Sequence, residues 1–438
     1  MSTISQNVCS ESAVGLLGIG IALGIVIGIF IAQFSGRKKL YNLDRDRERS
    51  TSSDKKVYTG MAQVNKTEPF QILDGALELF RQMWIDPLSK MNSQKEKVVE
   101  YLPAEEMLRD FFHNDNIEEK RARENPSFSL RKSIITHKKY HSNPKEVMKL
   151  FELIQKYSVN TSHTYFFNQL FGATDPVALA AELVSLSMNT SAYTYETAPI
   201  FTMIEKEVIS TVAKIVYGEE KSTSCDGIMV PGGSISNLNA LHVARQHFIA
   251  KMRKSTTVCS FEQQFDQNED DEKKTRDMDR NFTSDWLDPE PELVAFISEE
   301  AHYSFVKAAA VIGLKNENII KIPTLANGIM DTKYLDTAIH VAKAQYKYPF
   351  FVGVTAGSTV RGSFDSIEEI LSTCNINGGG IWVHVDGAWG GPAIFSQRSE
   401  IRNLLSGVDR ADSFTFNPHK MLGAPQQTTI FVSRHKVS

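Results

Sequence analysis

From about residue 200 onward, short apolar runs of strand length alternate with stretches of helical spacing, and this rhythm limits the possible folds more than any other feature. The strand-like runs are Gly227–Val230, Leu293–Ile297, Ile319–Ile322, Phe350–Val354, Ile381–Val385 and Ser413–Phe416. Helical patterns lie between most of them. Such alternation predicts an α/β fold with a largely parallel sheet covered by helices on both faces. Ligands of such sheets bind beyond the carboxyl ends of the strands. The polar motifs of this chain lie at such ends.

The preceding sequence is different in kind. Ser12–Gly36 contains no charged residue, and Ala13–Phe34 is almost wholly apolar. As a helix these 22 residues rise about 33 Å, enough to cross a hydrocarbon core of about 30 Å. Arg37, Lys38 and Lys39 follow at once, while Glu11 is the only charge before the run. The positive-inside tendency then predicts a membrane anchor with the body of the protein facing the cytosol. Gly20, Gly24 and Gly28 recur every fourth residue and could form a close-packing helix face. The expected organisation is a tail (1–12), the anchor (13–36), a charged flexible linker (37–68), a helical segment (69–160) and a large domain (161–438). Within the last, Phe261–Leu287 carries a mixed-charge run and reads as an exposed insertion.

Composition narrows the function classes. A net charge of −4 gives no reason to expect nucleic acid as a partner. Cys9, Cys225, Cys259 and Cys374 are far apart, with no CxxC pair and no histidine cluster nearby. That fits reduced thiols, and predicts neither a disulfide framework nor a metal site.

Four segments carry chemistry. Lys420 ends Asn417-Pro418-His419-Lys420, just after a strand-like run. Most lysines are solvated surface charges, but a buried one loses ammonium stability and becomes an amine nucleophile. Asp386 follows the apolar run Ile381–Val385 and precedes small residues. A carboxylate there can keep the ring nitrogen of pyridoxal phosphate protonated; equally, it could cap the next helix. Pro231-Gly232-Gly233-Ser234-Ile235-Ser236-Asn237 lies between a strand and a helical pattern, where backbone N–H groups suit a phosphate. His302, in Glu299-Glu300-Ala301-His302-Tyr303-Ser304, could lie over a flat cofactor ring or be a structural hydrogen bonder.

Taken in this order, the motifs resemble the group II pyridoxal-phosphate-dependent amino-acid decarboxylases, in the branch acting on glutamate, cysteine sulfinate and aspartate. The resemblance runs from about Phe70 to Arg434. It implies the large domain of the aspartate-aminotransferase type, with a mainly parallel seven-stranded sheet, in a homodimer. It implies that Lys420 holds the cofactor as a Schiff base, Asp386 pairs with the pyridine nitrogen, Ala388 lies against the ring and His302 stacks on its other face. Thr359 falls near the phenolic oxygen. Gly233, Ser234, Ile235 and Ser236 form the phosphate turn, and Asn417 and His419 border the lysine. Asn168 and Gln169 match the segment that meets the substrate carboxylate.

Departures from the family pattern matter too. Gly387 stands where an alanine is usual, which predicts a looser pocket, and Ser358 precedes Thr359 where two threonines are usual. The sequence stops at Ser438, before the mobile loop and small domain that the family places after its lysine, so turnover by this chain is expected to be impaired. The implied reaction is decarboxylation of a small acidic amino acid. Phe171 and Ala424-Pro425-Gln426-Gln427 are more similar to the aspartate and cysteine-sulfinate enzymes, with glutamate third. Another pyridoxal phosphate reaction such as transamination, or a membrane-tethered partner that binds the cofactor without turnover, remains open on the same residues.

Overall fold

The computed structural model describes residues 74–78, 103, 106, 144–167, 169–264 and 291–436. The expected anchor at 13–36 and the linker after it lie outside these residues. Among the described residues, no helix is long and apolar enough to cross a membrane. Packing divides the chain at Asn168/Gln169. In the unit before that boundary, Asp74–Glu78 is helical and helix α1 spans Pro144–Tyr157. Gly75 belongs to the first and Met148 to the second; a Cβ at Gly75 would lie 2.6 Å from the Met148 sulfur.

The second unit is built on seven strands: β1 (Asp226–Val230), β2 (Leu293–Ser298), β3 (Ile319–Ile322), β4 (Tyr348–Thr355), β5 (Trp382–Gly387), β6 (Ser413–Phe416) and β7 (Thr429–Ser433). Their order across the sheet is β1-β7-β6-β5-β4-β2-β3. Strands β3, β2, β4, β5 and β6 are mutually parallel, whereas β7 runs antiparallel to both neighbours. Six strands coincide with the apolar runs of the sequence to within two residues at either end. The seventh, Thr-Ile-Phe-Val-Ser, is wholly buried, as β2, β5 and β6 also are. Unlike them it is reached without a long crossover helix, so it breaks the strand–helix rhythm that exposed the others.

Helices α2 (Pro176–Met188), α3 (Pro199–Tyr217), α4 (Gly233–Gln264), α5 (Ser304–Val311), α6 (Thr332–Ala344) and α7 (Ile367–Ile376) accompany the sheet. Side chains alternate across a strand, and β5 shows the consequence. Val383 and Val385 join one core with Val208 and Val212 of α3, Leu335 and Ile339 of α6 and Ile370 of α7. Trp382 joins a second core with Ala240 and Leu241 of α4 and Phe305 of α5. His384 and Asp386 share the parity of Trp382, and so face α4 and α5. The expected insertion from Phe261 begins later than its charge suggests, since α4 continues to Gln264; Glu262-Gln263-Gln264 are good helix formers despite their polarity. The remainder, from residue 265, lies outside the described residues.

Candidate active site

Register sets the site. Thr355 pairs with Asp386 across β4 and β5, and Asp386 pairs with Thr415 across β5 and β6. Three parallel strands therefore end side by side, and the turns that follow them enclose a cleft of about 320 Å³. The cleft brings together Lys420, Asp386 and His302 with Gly233, Ser234, Thr359, Ala388, Asn417 and His419.

Each edge has a local cause. Gly232 has φ +97, a left-handed conformation that glycine adopts without Cβ strain. A Cβ on the next residue, Gly233, would meet Asn417 Oδ1 at 3.2 Å and Ala388 Cβ at 3.3 Å. Glycine thus brings the start of α4 close to the β5 and β6 ends. At the end of β4, Gly357 has φ +87, and a Cβ there would meet the Trp389 ring at 2.6 Å and the Gly390 nitrogen at 2.9 Å. Beyond β6, Asn417 Oδ1 accepts from Thr429 Oγ1 at 2.8 Å. The short helix Pro418–Met421 then carries Lys420.

Electrostatics distinguish the groups. Burial lowers the Lys420 pKa from its ordinary value, with the nearby Asp386 charge opposing that shift. Burial also lowers His302, opposed by Asp386 and assisted by Lys420 and Lys307. His419 is lowered by burial as well, against a bond to the Thr428 carbonyl. Asp386 is 5% exposed. One of its oxygens accepts from the Ala388 N–H at 3.0 Å and the other from Asn237 Nδ2 at 2.8 Å. Asp386 borders the cleft and receives a backbone N–H two residues on in a turn, but it caps no helix, because the next one, Gly391–Phe395, starts after Gly390 without a side-chain cap.

Several expected residues fall elsewhere. Ser236 is fully buried, and its hydroxyl lies 2.6 Å from Thr415 Oγ1, inside the core. Ile235 is 41% exposed and lies outside the lining. A helix turns about 100° per residue, so adjacency to Ser234 in sequence does not keep these side chains on the cleft side. Gln169 is exposed and outside the lining, and Asn168 lies outside the described residues. Gly387 does not loosen the pocket: a Cβ there would point into packed atoms, 2.8 Å from Gly391 Cα and 2.9 Å from the Phe414 ring.

Residues given no role from sequence also line the cleft, among them Asn237, Glu300, Tyr303, Thr355 and Trp389, and so does Gln427 of the segment that carries the substrate resemblance. Thr355 is 7% exposed, and its hydroxyl has no hydrogen-bond partner among the described residues. The only sequence signal for Asn237 was its place in the turn motif, one residue past the last position assigned to phosphate.

A half-buried lysine amine with a lowered pKa, a buried carboxylate, an imidazole and a helix N-terminus in one cleft define the core of an enzyme using an aldehyde cofactor. Comparison with known proteins agrees. The family model for the pyridoxal-dependent decarboxylase conserved domain matches residues 132–263 and 272–438, interrupted only within the mixed-charge run. The chain belongs to the pyridoxal-dependent decarboxylase family. It is 38% identical over 285 residues to cysteine sulfinic acid decarboxylase of Homo sapiens, covering 65% of this chain and 50% of the relative. It is 35% identical over 306 residues to acidic amino acid decarboxylase GADL1 of Xenopus tropicalis, covering 70% and 52%. The chain thus spans about half the length of the curated relatives it matches. A crystal structure of mouse CSAD superposes with a TM-score of 0.63 at 30% identity, covering 85% of this chain and 65% of that one.

The residues present fit pyridoxal phosphate. The lysine suits its aldehyde, the carboxylate its ring nitrogen and the glycine-opened start of α4 its phosphate. The unpartnered Thr355 hydroxyl is a further polar group available to it.

Proposed function

We propose that this chain carries the catalytic core of a decarboxylase for a small acidic amino acid, with aspartate or cysteine sulfinate preferred and glutamate third. The expected products are CO2 with β-alanine, hypotaurine or GABA. The observation that carries the reading is the convergence of Lys420, Asp386 and His302 on one cleft. When bound, pyridoxal phosphate supplies an electron-withdrawing ring that takes up the charge left at the α-carbon as CO2 departs. Lys420 would hold the cofactor by its aldehyde; a lowered amine pKa raises the fraction of the nucleophilic, unprotonated form. Asp386 would hold the proton on the ring nitrogen, and His302 would cover the ring. Gly233 and Ser234 would receive the phosphate on backbone N–H groups. Substrate choice is supported by the acidic substrates in the relatives' names and by Gln427, from the segment that resembles the aspartate and cysteine-sulfinate enzymes, lining the cleft.

The test is CO2 and amine release by purified protein with pyridoxal phosphate, from L-aspartate, L-cysteine sulfinate and L-glutamate, with L-tryptophan as control. Such release as this chain gives, slow in keeping with the impaired turnover expected of it, should be confined to the acidic substrates. Asp386→Asn should lower it at least a hundredfold, equivalent to about 2.7 kcal/mol of barrier. Release from tryptophan alone, or keto-acid formation in place of amine, would contradict the reading. The uncharged Ser12–Gly36 run, followed by three basic residues, supports the further proposal of a membrane anchor with a cytosolic body. Carbonate-washed membranes should retain the protein, and its release into the wash would oppose an integral anchor.

A further inference from the structure

Asn237 is 1% exposed, and every polar atom of its side chain is engaged. Its Nδ2 donates to Asp386 Oδ2 at 2.8 Å and to Ser304 Oγ at 2.9 Å. Its Oδ1 lies 3.1 Å from His384 Nε2. A carboxylate only accepts, and with Nδ2 toward Asp386 and Ser304 the amide turns its oxygen toward His384. That makes His384 Nε2 the donor and leaves Nδ1 as an acceptor. Ser413 Oγ lies 2.8 Å from Nδ1 and itself accepts from Trp382 Nε1 at 2.8 Å, which leaves its hydrogen for His384.

One polarity therefore runs from Trp382 through Ser413, His384 and Asn237 to Asp386, each group donating to the next. Burial holds the His384 pKa down at about 4, so no charge interrupts the chain. The second branch reaches the other side of the cleft. Ser304 Oγ accepts from Asn237, and its own hydrogen is free for His302 Nδ1 at 2.8 Å. The Ser304 backbone N–H also points at His302 Nδ1, at 3.2 Å. With two donors on Nδ1, neutral His302 carries its proton on Nε2.

We propose that Asn237 is a positioning residue: its one amide orients the Asp386 carboxylate and, through Ser304, sets the tautomer of His302. Asn237 acts on the cofactor through these two groups. The proposal rests on the cleft being the cofactor's site.

The test is the Kd for pyridoxal phosphate, measured by absorbance on the full chain, for wild type and Asn237→Asp between pH 5.5 and 8. At pH 8 the new carboxylate faces Asp386 as an acceptor, and affinity should fall about tenfold or more, the scale of a lost bond to a charged group. Acidification protonates the new carboxyl group, restores a donor, and should bring the variant-to-wild-type ratio back toward one. Lys420, His302 and His384 also feel the Asp386 charge, so the wild type titrated in parallel is the reference for their own proton uptake. A ratio near one at pH 8, or a loss that does not change with pH, would overturn the positioning role. A wild-type chain that binds no pyridoxal phosphate would overturn the cofactor reading itself. Should Asn237→Asp fail to fold, His384→Gln and His384→Phe carry the test. The glutamine keeps a donor for Asn237 and should hold affinity within about threefold, while the phenylalanine should lose about tenfold; equal Kd values would overturn the proposal.

Discussion

His384 is fully buried between Phe305, Phe351 and Phe431, and that burial gives it a measurable pH signature. Its pKa is held at about 4 against an ordinary 6.5, so between those values the unfolded chain takes up a proton that the folded chain refuses. Stability from this group is present above about pH 6.5 and is lost as pH falls toward 4. A shift of this size corresponds to at most about 3 kcal/mol. Asp365 works in the opposite sense. Burial raises it to about 6, against the bonds it accepts from the Met330 and Thr355 N–H groups, so its cost is relieved on acidification over a similar window. The two contributions oppose each other in the wild type, and a variant is needed to separate them. Thermal melts of wild type and His384→Gln should therefore converge as pH falls from 7 to 5, and a constant difference in Tm would show that His384 does not titrate as described. Neither group's environment was legible in sequence. Asn237 shows why most clearly: its partners Ser304, His384 and Asp386 lie 67, 147 and 149 residues away.

At the scale of elements, strand ends were the most legible part of the molecule. Parallel strands separated by helices must place their carboxyl ends together, so Lys420, Asp386 and His302 could be assigned to one edge from their positions after apolar runs. The register that sets Thr355 beside Asp386 was hidden, because strand pairing joins residues whose spacing in sequence carries no pattern. Helix α2 makes a different point. It starts at a proline after Asp175, whose carboxylate accepts from the Val177 and Ala178 N–H groups at 2.9 and 3.1 Å. Yet its buried residues are only Ala178 and Ala181, while Val177, Val184, Leu186 and Met188 are 55–72% exposed. An apolar helix so little covered is a candidate interface, and the second copy implied by the resemblance is the occupant we propose. Val184→Glu should shift the protein toward monomer in light scattering after size exclusion. An unchanged molar mass would remove α2 from that interface.

At the largest scale, the unit from Gln169 onward is a sheet whose two faces have divided labour. One face, with α3, α6 and α7, is an apolar core; the other, with α4 and α5, combines an apolar core with the polar chain ending at Asp386. This division follows from the alternation on β5, where Val383 and Val385 point one way and His384 and Asp386 the other. The overall fold class was readable because the strand–helix rhythm covers half the sequence; the antiparallel β7 was not, because it follows β6 without a long crossover helix and so stands outside that rhythm. The central claim is that one cleft, built around one lysine, is the cofactor site. Borohydride reduction of the full chain saturated with pyridoxal phosphate, followed by peptide mapping over all its lysines, tests this most directly. The account predicts a single labelled residue, Lys420, and no label in Lys420→Ala. A label on any other lysine, or one that persists in Lys420→Ala, would contradict it.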